Sequence, residues 1–467
     1  MTVTNHLDQP MLRGLFVPLT DEIDVAQLQV TGAIPPALDG AFIRNGPNPR
    51  FEPVGGYHMF DGDGMLHSIT LRDGTASYRN RWIRTAALGA EERAGRALYG
   101  GLGGMHTPTR EERGDAGRTK NPANTNIIRH AGRYLALFEG GPPTEVTAEL
   151  ATLGVRDYNG RIPGSFTAHP RVDPRTQEMI AFAYSPLPPH LQVFHFNPDG
   201  ELTRVVNVDT PACSVMHDFA ITESSVVVVD SPLLFDLPGV MAGGPPFRWD
   251  PEHGTRIGIM PRDGDTMRWF DVDDGYVNHF WNAWDNGDKI EFSGSRSPGT
   301  AYVESDSSGE AGGSDAAPGL PTRFVVDLTK GTAKSEQIDD LGGDFPHIND
   351  AYMGIRSRFH AMSAFNGTPD LIGHFDTVVV YDDLTGERSM WHAGNGTVVG
   401  DVIFAAAPHG TAENDGWLMC TVHDRATGAT DLAIIDATEV AKGPIARVHM
   451  PQRLPFGFHA QWFPSAN

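Results

Sequence analysis

Cysteine, basic charge, long apolar runs and helical periodicity are all scarce in this chain. Only two cysteines, Cys213 and Cys420, occur in 467 residues. That excludes a disulfide framework and zinc-ribbon spacing, and makes a reducing cytoplasm the expected location. Lys and Arg number 36 against 59 Asp and Glu, for a formal net charge of −23. Nucleic-acid binding needs a basic footprint, so that class of partner is excluded. No stretch approaches the roughly 18 apolar residues of a membrane span. The opening "MTVTNHLDQPMLRGLFVPL" has no basic segment followed by a long apolar one and does not read as a secretory signal. No G-x-S-x-G elbow occurs, and neither cysteine lies in a nucleophile motif. The glycine-rich "GGLGGM" at 100–105 lacks the Lys-Ser/Thr or the Rossmann setting of a phosphate cradle.

Glycine and proline are abundant instead, at 53 and 35 residues. Such a load breaks long helices and suits short strands joined by tight turns. Helical patterns are confined to "EERAGRALYGG" at 91–101 and "DATEVAKG" at 436–443. Strand–turn–strand patterns recur: "ITLRDGTASYRN", "HPRVDPRTQEMIAFAY", "FHFNPDGELTRVVNV", "MPRDGDTMRWFDV", "FVVDLTKGTAKSEQI", "VVVYDDLTGERSMWH" and "LAIIDATEVAKGPIARVHM". Each sets Asp or Asn with Gly, Thr or Pro between two β-rich runs, which is hairpin chemistry. Hairpins spread over roughly 400 residues fit a β-propeller better than a sandwich. No linker splits the chain, so 1–467 is read as one all-β domain. Segments at about 86–125 and 231–256 are expected to cap one face with loops and short helices. The low-complexity stretch 303–321 is expected to be a flexible surface loop.

Four of the 19 histidines sit at the edge of apolar or aromatic runs: His169 in "FTAHPRVDP", His217 in "SVMHDFAIT", His279 in "YVNHFWNAWDNGD" and His459 in "PFGFHAQWF". Their separations of 48, 62 and 180 residues exclude a zinc finger or a helical H-E-x-x-H site. They fit ligands delivered from separate blades to one axis. A metal bond there would also pin a C-terminal strand that otherwise frays. "YHMFDGDGMLH", with His58, Asp61, Asp63 and His67, reads either as a metal loop or as a glycine-rich hairpin, and the hairpin reading is preferred.

Eight motifs in order then carry a resemblance. They are "GAFIRNGPNPRF", "YHMFDGDGMLHSI", "NTNIIRHAGRYLALFEGGPP", "TAHPRVDP", "MHDFAIT", "HFWNAWDNGD", "DFPHIND" and "PFGFH", spanning about 28 to 463. Together they resemble the carotenoid cleavage oxygenases. The resemblance implies a seven-bladed propeller with a non-haem iron(II) on its axis, held by His169, His217, His279 and His459. Imidazole suits iron(II). Four neutral imidazoles leave the ion its full charge, with room for dioxygen while a lipophilic polyene packs alongside. The residues alone do not separate this set from two histidines and a carboxylate; the resemblance does.

Metal-bound histidines pass their second N–H to a carboxylate or carbonyl. By resemblance the carboxylates are Glu139 in "LFEGG", Asp344 in "GDFPHIN" and Asp401 in "GDVIFAAAP". The two aspartates depart from the family's glutamates by one methylene, so each bonds its histidine directly or through water. His217 is expected to be the ligand without a carboxylate.

The implied activity is cleavage of a conjugated C=C bond of a carotenoid or apocarotenoid with O2, giving two carbonyl products. Alternatives are cleavage of a phenolic stilbene, isomerisation of a polyene, and a binding scaffold without turnover. Stilbene-cleaving members read the phenol with a lysine before the first glutamate and with a tyrosine. Phe138 and Leu102 fall nearest those positions here, and with Phe60 they suggest an apolar substrate pocket. The apolar segment 231–249 is either buried cap packing or a membrane-facing substrate entrance.

Overall fold

The computed structural model describes residues 9–102, 104–241, 244, 246–297, 319–366 and 374–465. Seven antiparallel sheets form the seven blades of a β-propeller. The pairing closes the ring at both ends of the chain. Blade 1 takes its first strand, Ala460–Pro464, from the C-terminus, followed by Gly40–Pro47, Gly64–Arg72 and Thr75–Trp82. Blade 7 receives Gln29–Gly32 from the N-terminal region on its outer edge, against Pro444–His449. Residues more than 400 apart are thereby hydrogen-bonded in register, as in Arg44 opposite Ala460.

The other blades run in chain order. Blade 2 opens at Asn126–His130, blade 3 at Arg171–Val172, blade 4 at Ala220–Ile221, blade 5 at Tyr276–Asn286 and blade 6 at Gly343–His347. In blade 7, Thr397–Val399 and Ile403–Ala406 both pair with Gly416–Asp424. All seven hairpins expected from turn chemistry are present as antiparallel pairs. Two of them belong to blade 3 and none to blade 2. The outer strands of blade 2, Thr144–Val146 and Thr152–Val155, are too short to show an alternating pattern.

The core is layered between blades. Strand Thr75–Trp82 alternates buried and partly exposed residues, the period-two signature of a half-covered strand. "SVVVVD" at 225–230 is buried throughout and fills the centre of blade 4. Between blades 4 and 5, Phe292 and Phe324 stack at 4.6 Å with Phe280 beside them. Each such side chain contributes about 1.5–3 kcal/mol by leaving water.

The helix near the first inserted segment lies at Ala86–Ala94 rather than 91–101. Thr85 caps its N-terminus through Leu88 N–H, and Gly95 ends it in the left-handed region at φ 66°. At 436–443 only a short 3-10 turn, Val440–Lys442, forms. Lys120 joins this inserted segment to blade 1: its buried ammonium meets Glu91 at 2.8 Å and Asp63 at 2.7 Å. Of the expected loop at 303–321, residues 303–318 lie outside those described, and Leu320 already opens the strand Leu320–Asp327. Among the described residues, no helix is long and apolar enough to cross a membrane.

Candidate metal centre

Each blade delivers one side chain to the same end of the axis. His169, His217 and His459 stand just before the opening strands of blades 3, 4 and 1, and His279 lies within that of blade 5. Asp344 opens blade 6, Asp401 precedes Ile403–Ala406 of blade 7, and Glu139 follows Arg133–Leu137 of blade 2. Local irregularities aim these groups. The ladder of blade 5 slips on both sides of Phe280, so His279 sits on a bulge that re-aims its ring. Facing it, Gly294 leaves no room for a Cβ, which would come within 2.6 Å of the His279 carbonyl oxygen. Gly294→Ala is therefore expected to displace His279 and weaken metal binding by about 10-fold or more, the scale of a lost orienting contact. Chelator competition would check it, and unchanged affinity would clear the bulge of this role. Blade 6 slips after Asp344, where Phe345 takes φ 55°.

The four imidazoles converge. Nε2 separations are 3.0 Å for His169–His217, 3.0 Å for His217–His279 and 3.2 Å for His279–His459. All four candidate ligand atoms lie within 4.8 Å of one another. Among the described residues no other group of three or more His, Cys, Asp or Glu is gathered this way. His58, Asp61, Asp63 and His67 are spent locally: His58 and Asp61 form a capping box, Asp63 pairs with Lys120, and His67 bonds Tyr78. The motif is neither a metal loop nor the expected glycine-rich hairpin: it is a connection with a 3-10 turn at Met59–Asp61 that leads into the buried blade-1 strand Gly64–Arg72.

Carboxylates hold the outer nitrogens of three rings. Glu139 Oε1 meets His217 Nδ1, Asp344 Oδ1 accepts from His279 Nδ1 at 2.8 Å, and Asp401 Oδ2 accepts from His459 Nδ1 at 3.3 Å. Both aspartates thus reach their histidines without a bridging group. The expectation for His217 is corrected: His217 has Glu139, and His169 is the ring without a carboxylate at Nδ1. Tyr184, at the end of the second strand of blade 3, donates to the other oxygen of Glu139 at 2.7 Å. Asn278 similarly donates to Asp344 Oδ2 at 2.7 Å.

With Nδ1–H spent on a carboxylate, each of these three rings presents a bare Nε2 lone pair inward. Lone pairs packed at 3.0 Å repel unless a cation lies between them. The spacing also matches the roughly 3 Å chord between ligands about 2.1 Å from one ion at right angles. This donor set fits a borderline divalent metal. Burial and the surrounding histidines hold His169 well below the ordinary histidine pKa, and burial keeps His459 low. Both are ready as neutral ligands. Burial disfavours charge on His217 too, but Glu139 outweighs it and raises the pKa. Asp344 is buried, which favours its neutral form, yet His279 and Asn278 leave its pKa lowered.

A cavity of about 390 Å³ runs along the axis from His169, His279, His459 and Asp401 past Phe345, Ile348 and Phe463 to Gln177 and Pro464. Phe345 packs its ring 5.7 Å from His279 and 5.1 Å from His459. None of Phe138, Leu102 and Phe60 lines this cavity. Phe60 packs 5.2 Å from Phe458, the neighbour of His459. Phe138 is half-buried beside Glu139, and Leu102 is at the surface with its N–H bonded to Asp61. Within 231–249, Leu233–Phe235 pairs with Phe247–Trp249. Leu233 and Leu234 are buried, whereas Met241 is 82% exposed. Leu233 and Leu234 are therefore packing residues.

Tyr184, Asn278 and the Arg171–Asp218 pair were not singled out by sequence. Arg171 and Asp218 stand two and one residues after candidate ligand histidines in quoted motifs, a signal that was available. "FAYSPLPP" around Tyr184 offers none.

The retinal pigment epithelial membrane protein family model matches residues 16–464. A carotenoid cleavage oxygenase of Mycobacterium tuberculosis is 33% identical over 513 aligned positions, covering 98% of this chain and 98% of the relative. The crystal structure of Pseudomonas brassicacearum lignostilbene dioxygenase superposes with a TM-score of 0.89 at 29% identity, covering 98% of each chain. Cobalt-substituted Synechocystis ACO gives 0.85 at 26% identity, covering 96% of this chain and 97% of that one. On the extent of these matches, the chain belongs to the carotenoid cleavage oxygenase family.

Proposed function

We propose that His169, His217, His279 and His459 hold one iron(II) and that the protein cleaves a conjugated double bond of an apolar polyene with dioxygen. The overall change is R–CH=CH–R′ + O2 → R–CHO + R′–CHO. The observation that carries this reading is the convergence of four Nε2 atoms within 4.8 Å, backed by three carboxylates. Bound iron(II) would supply the electron transfer that lets dioxygen react with a closed-shell alkene. The chain's own residues orient, shield and keep charge in place. Glu139, Asp344 and Asp401 fix the tautomers of His217, His279 and His459, so that these three rings turn an Nε2 lone pair toward the ion. Phe345 packs against the rings of His279 and His459. No protein nucleophile is required. The thiols of Cys213 and Cys420 are buried, and burial pushes both pKa values up to about 12.

The substrate follows from what would line its path. Phe138 beside Glu139 and Phe60 against Phe458 lie outside the described cavity; in this reading the substrate approaches the metal from their side, where neither side chain offers a partner to a phenol hydroxyl. Stripping water from an unpaired hydroxyl costs roughly 1–3 kcal/mol. An apolar chain gains about 25 cal/mol per Å² buried there. A carotenoid or apocarotenoid is therefore favoured, delivered from lipid past 86–125 and the Met241 tip of 231–256 as cap segments. The likeness to lignostilbene dioxygenase supports a second reading, cleavage of a phenolic stilbene. Comparing kcat/KM for an apocarotenal and 4-hydroxystilbene on the iron-loaded protein decides between them. A preference for the apocarotenal is expected; a preference for the hydroxystilbene would overturn the argument from Phe138.

A further inference from the structure

His169 lacks the carboxylate its three partners have, yet its Nε2 is 3.0 Å from that of His217. Something else must hold it. Two residues along the strand, Arg171 donates from Nε to Phe219 O at 2.9 Å and from Nη2 to both oxygens of Asp218 at 2.7 and 2.6 Å. The same nitrogen reaches Phe280 O at 3.4 Å. Asp218 follows His217 directly. Its Oδ1 accepts from Phe219 N at 2.7 Å and its Oδ2 from Phe280 N, next to His279, at 2.9 Å. One buried knot thus touches the strands carrying His169, His217 and His279, one or two residues from each ligand. The strand carrying His459 lies outside it and is held by other bonds: Ala460 N donates to Asp401, His459 N to Thr125 O and Asn45 N to His459 O.

We propose that Arg171 and Asp218 are a positioning pair for the metal centre, which fixes blades 3, 4 and 5 against one another and serves His169 in place of a carboxylate. This rests on the four-histidine metal site proposed above. A buried ion pair is weak evidence for stability, because desolvation offsets most of its attraction. A geometric role explains why the pair lies here: Asp218 accepts two backbone N–H groups across blades 4 and 5, and Arg171 donates from blade 3 into both. An apolar pair of equal volume could do neither.

The test compares cobalt(II) binding by the full chain as wild type, Asp218→Asn and Arg171→Lys, with Arg358→Lys in the remote Arg358–Asp382 pair as control. Affinity is read by chelator competition, geometry from the cobalt ligand-field spectrum, and fold from thermal unfolding of the metal-free protein. Asp218→Asn keeps the size but loses half its acceptors. It is expected to lower cobalt affinity about 10–100-fold and to alter the spectrum. Arg171→Lys keeps the charge but not the fork, and is expected to do the same more weakly, while Arg358→Lys changes neither. Wild-type affinity and spectrum in Asp218→Asn would overturn the proposal. So would loss of the metal-free fold in both variants, which would make the pair a folding element. Failure of the wild type to bind cobalt would instead overturn the metal site itself.

Discussion

Replacing His279 by alanine is expected to remove most of the bound metal and all cleavage activity. Its Nε2 lies between those of His217 and His459, at 3.0 and 3.2 Å, so it is central to the donor set. Its loss removes one ligand and the 2.8 Å partner of Asp344 Oδ1, leaving that carboxylate to Asn278. That charge is then the nearest competitor for the metal, so residual binding should be weak and wrongly oriented. The same substitution at His169, His217 or His459 is expected to have the same sign. Metal content after anaerobic loading and desalting, with product analysis on an apocarotenal, checks each variant. Any one that retains full metal and full rate is not a ligand.

The second large effect is expected at Glu139. One of its oxygens meets His217 Nδ1, and the other is held by the Tyr184 hydroxyl at 2.7 Å. Asp401 makes the longest contact, at 3.3 Å, and divides one oxygen between His459 and Ala460 N. Losing an orienting carboxylate typically costs about 10–100-fold in affinity or activity. Glu139→Ala should approach the upper end of that range and Asp401→Ala the lower. Tyr184→Phe should weaken binding less than Glu139→Ala, since Glu139 stays but loses its second anchor. Metal dissociation constants for the three variants test this order. Equal losses would show that the second anchor from Tyr184 does not set the contribution.

The hairpins were legible because Asp, Asn, Gly and Pro at turns act over a few residues, and those same residues fold locally. The short strands of blade 2 carry too few residues for a pattern. The helix lies at Ala86–Ala94 rather than 91–101 because Thr85 caps its start and Gly95 in the left-handed region ends it. Ring closure by Gln29–Gly32 and Ala460–Pro464 joins residues more than 400 apart, beyond the reach of any local pattern. The four histidines were visible as buried imidazoles at strand edges. Their grouping came from the resemblance, since separations of 48 to 180 residues define no motif. Which carboxylate serves which ring was not legible. Glu139 meets His217, and its other oxygen is held by Tyr184, 45 residues on in another blade. Leu102 shows a limit of transfer by position: it lies on the surface, bonded to Asp61, in a glycine-rich stretch where alignment has little to hold.

X-ray absorption at the iron edge on the anaerobically loaded protein tests the central claim most directly. Four imidazole nitrogens at about 2.0–2.2 Å from one iron per chain, with no carboxylate oxygen among the protein ligands, are expected. Fewer imidazoles, a bound carboxylate, or iron that exchanges without disturbing His169, His217, His279 and His459 would contradict it.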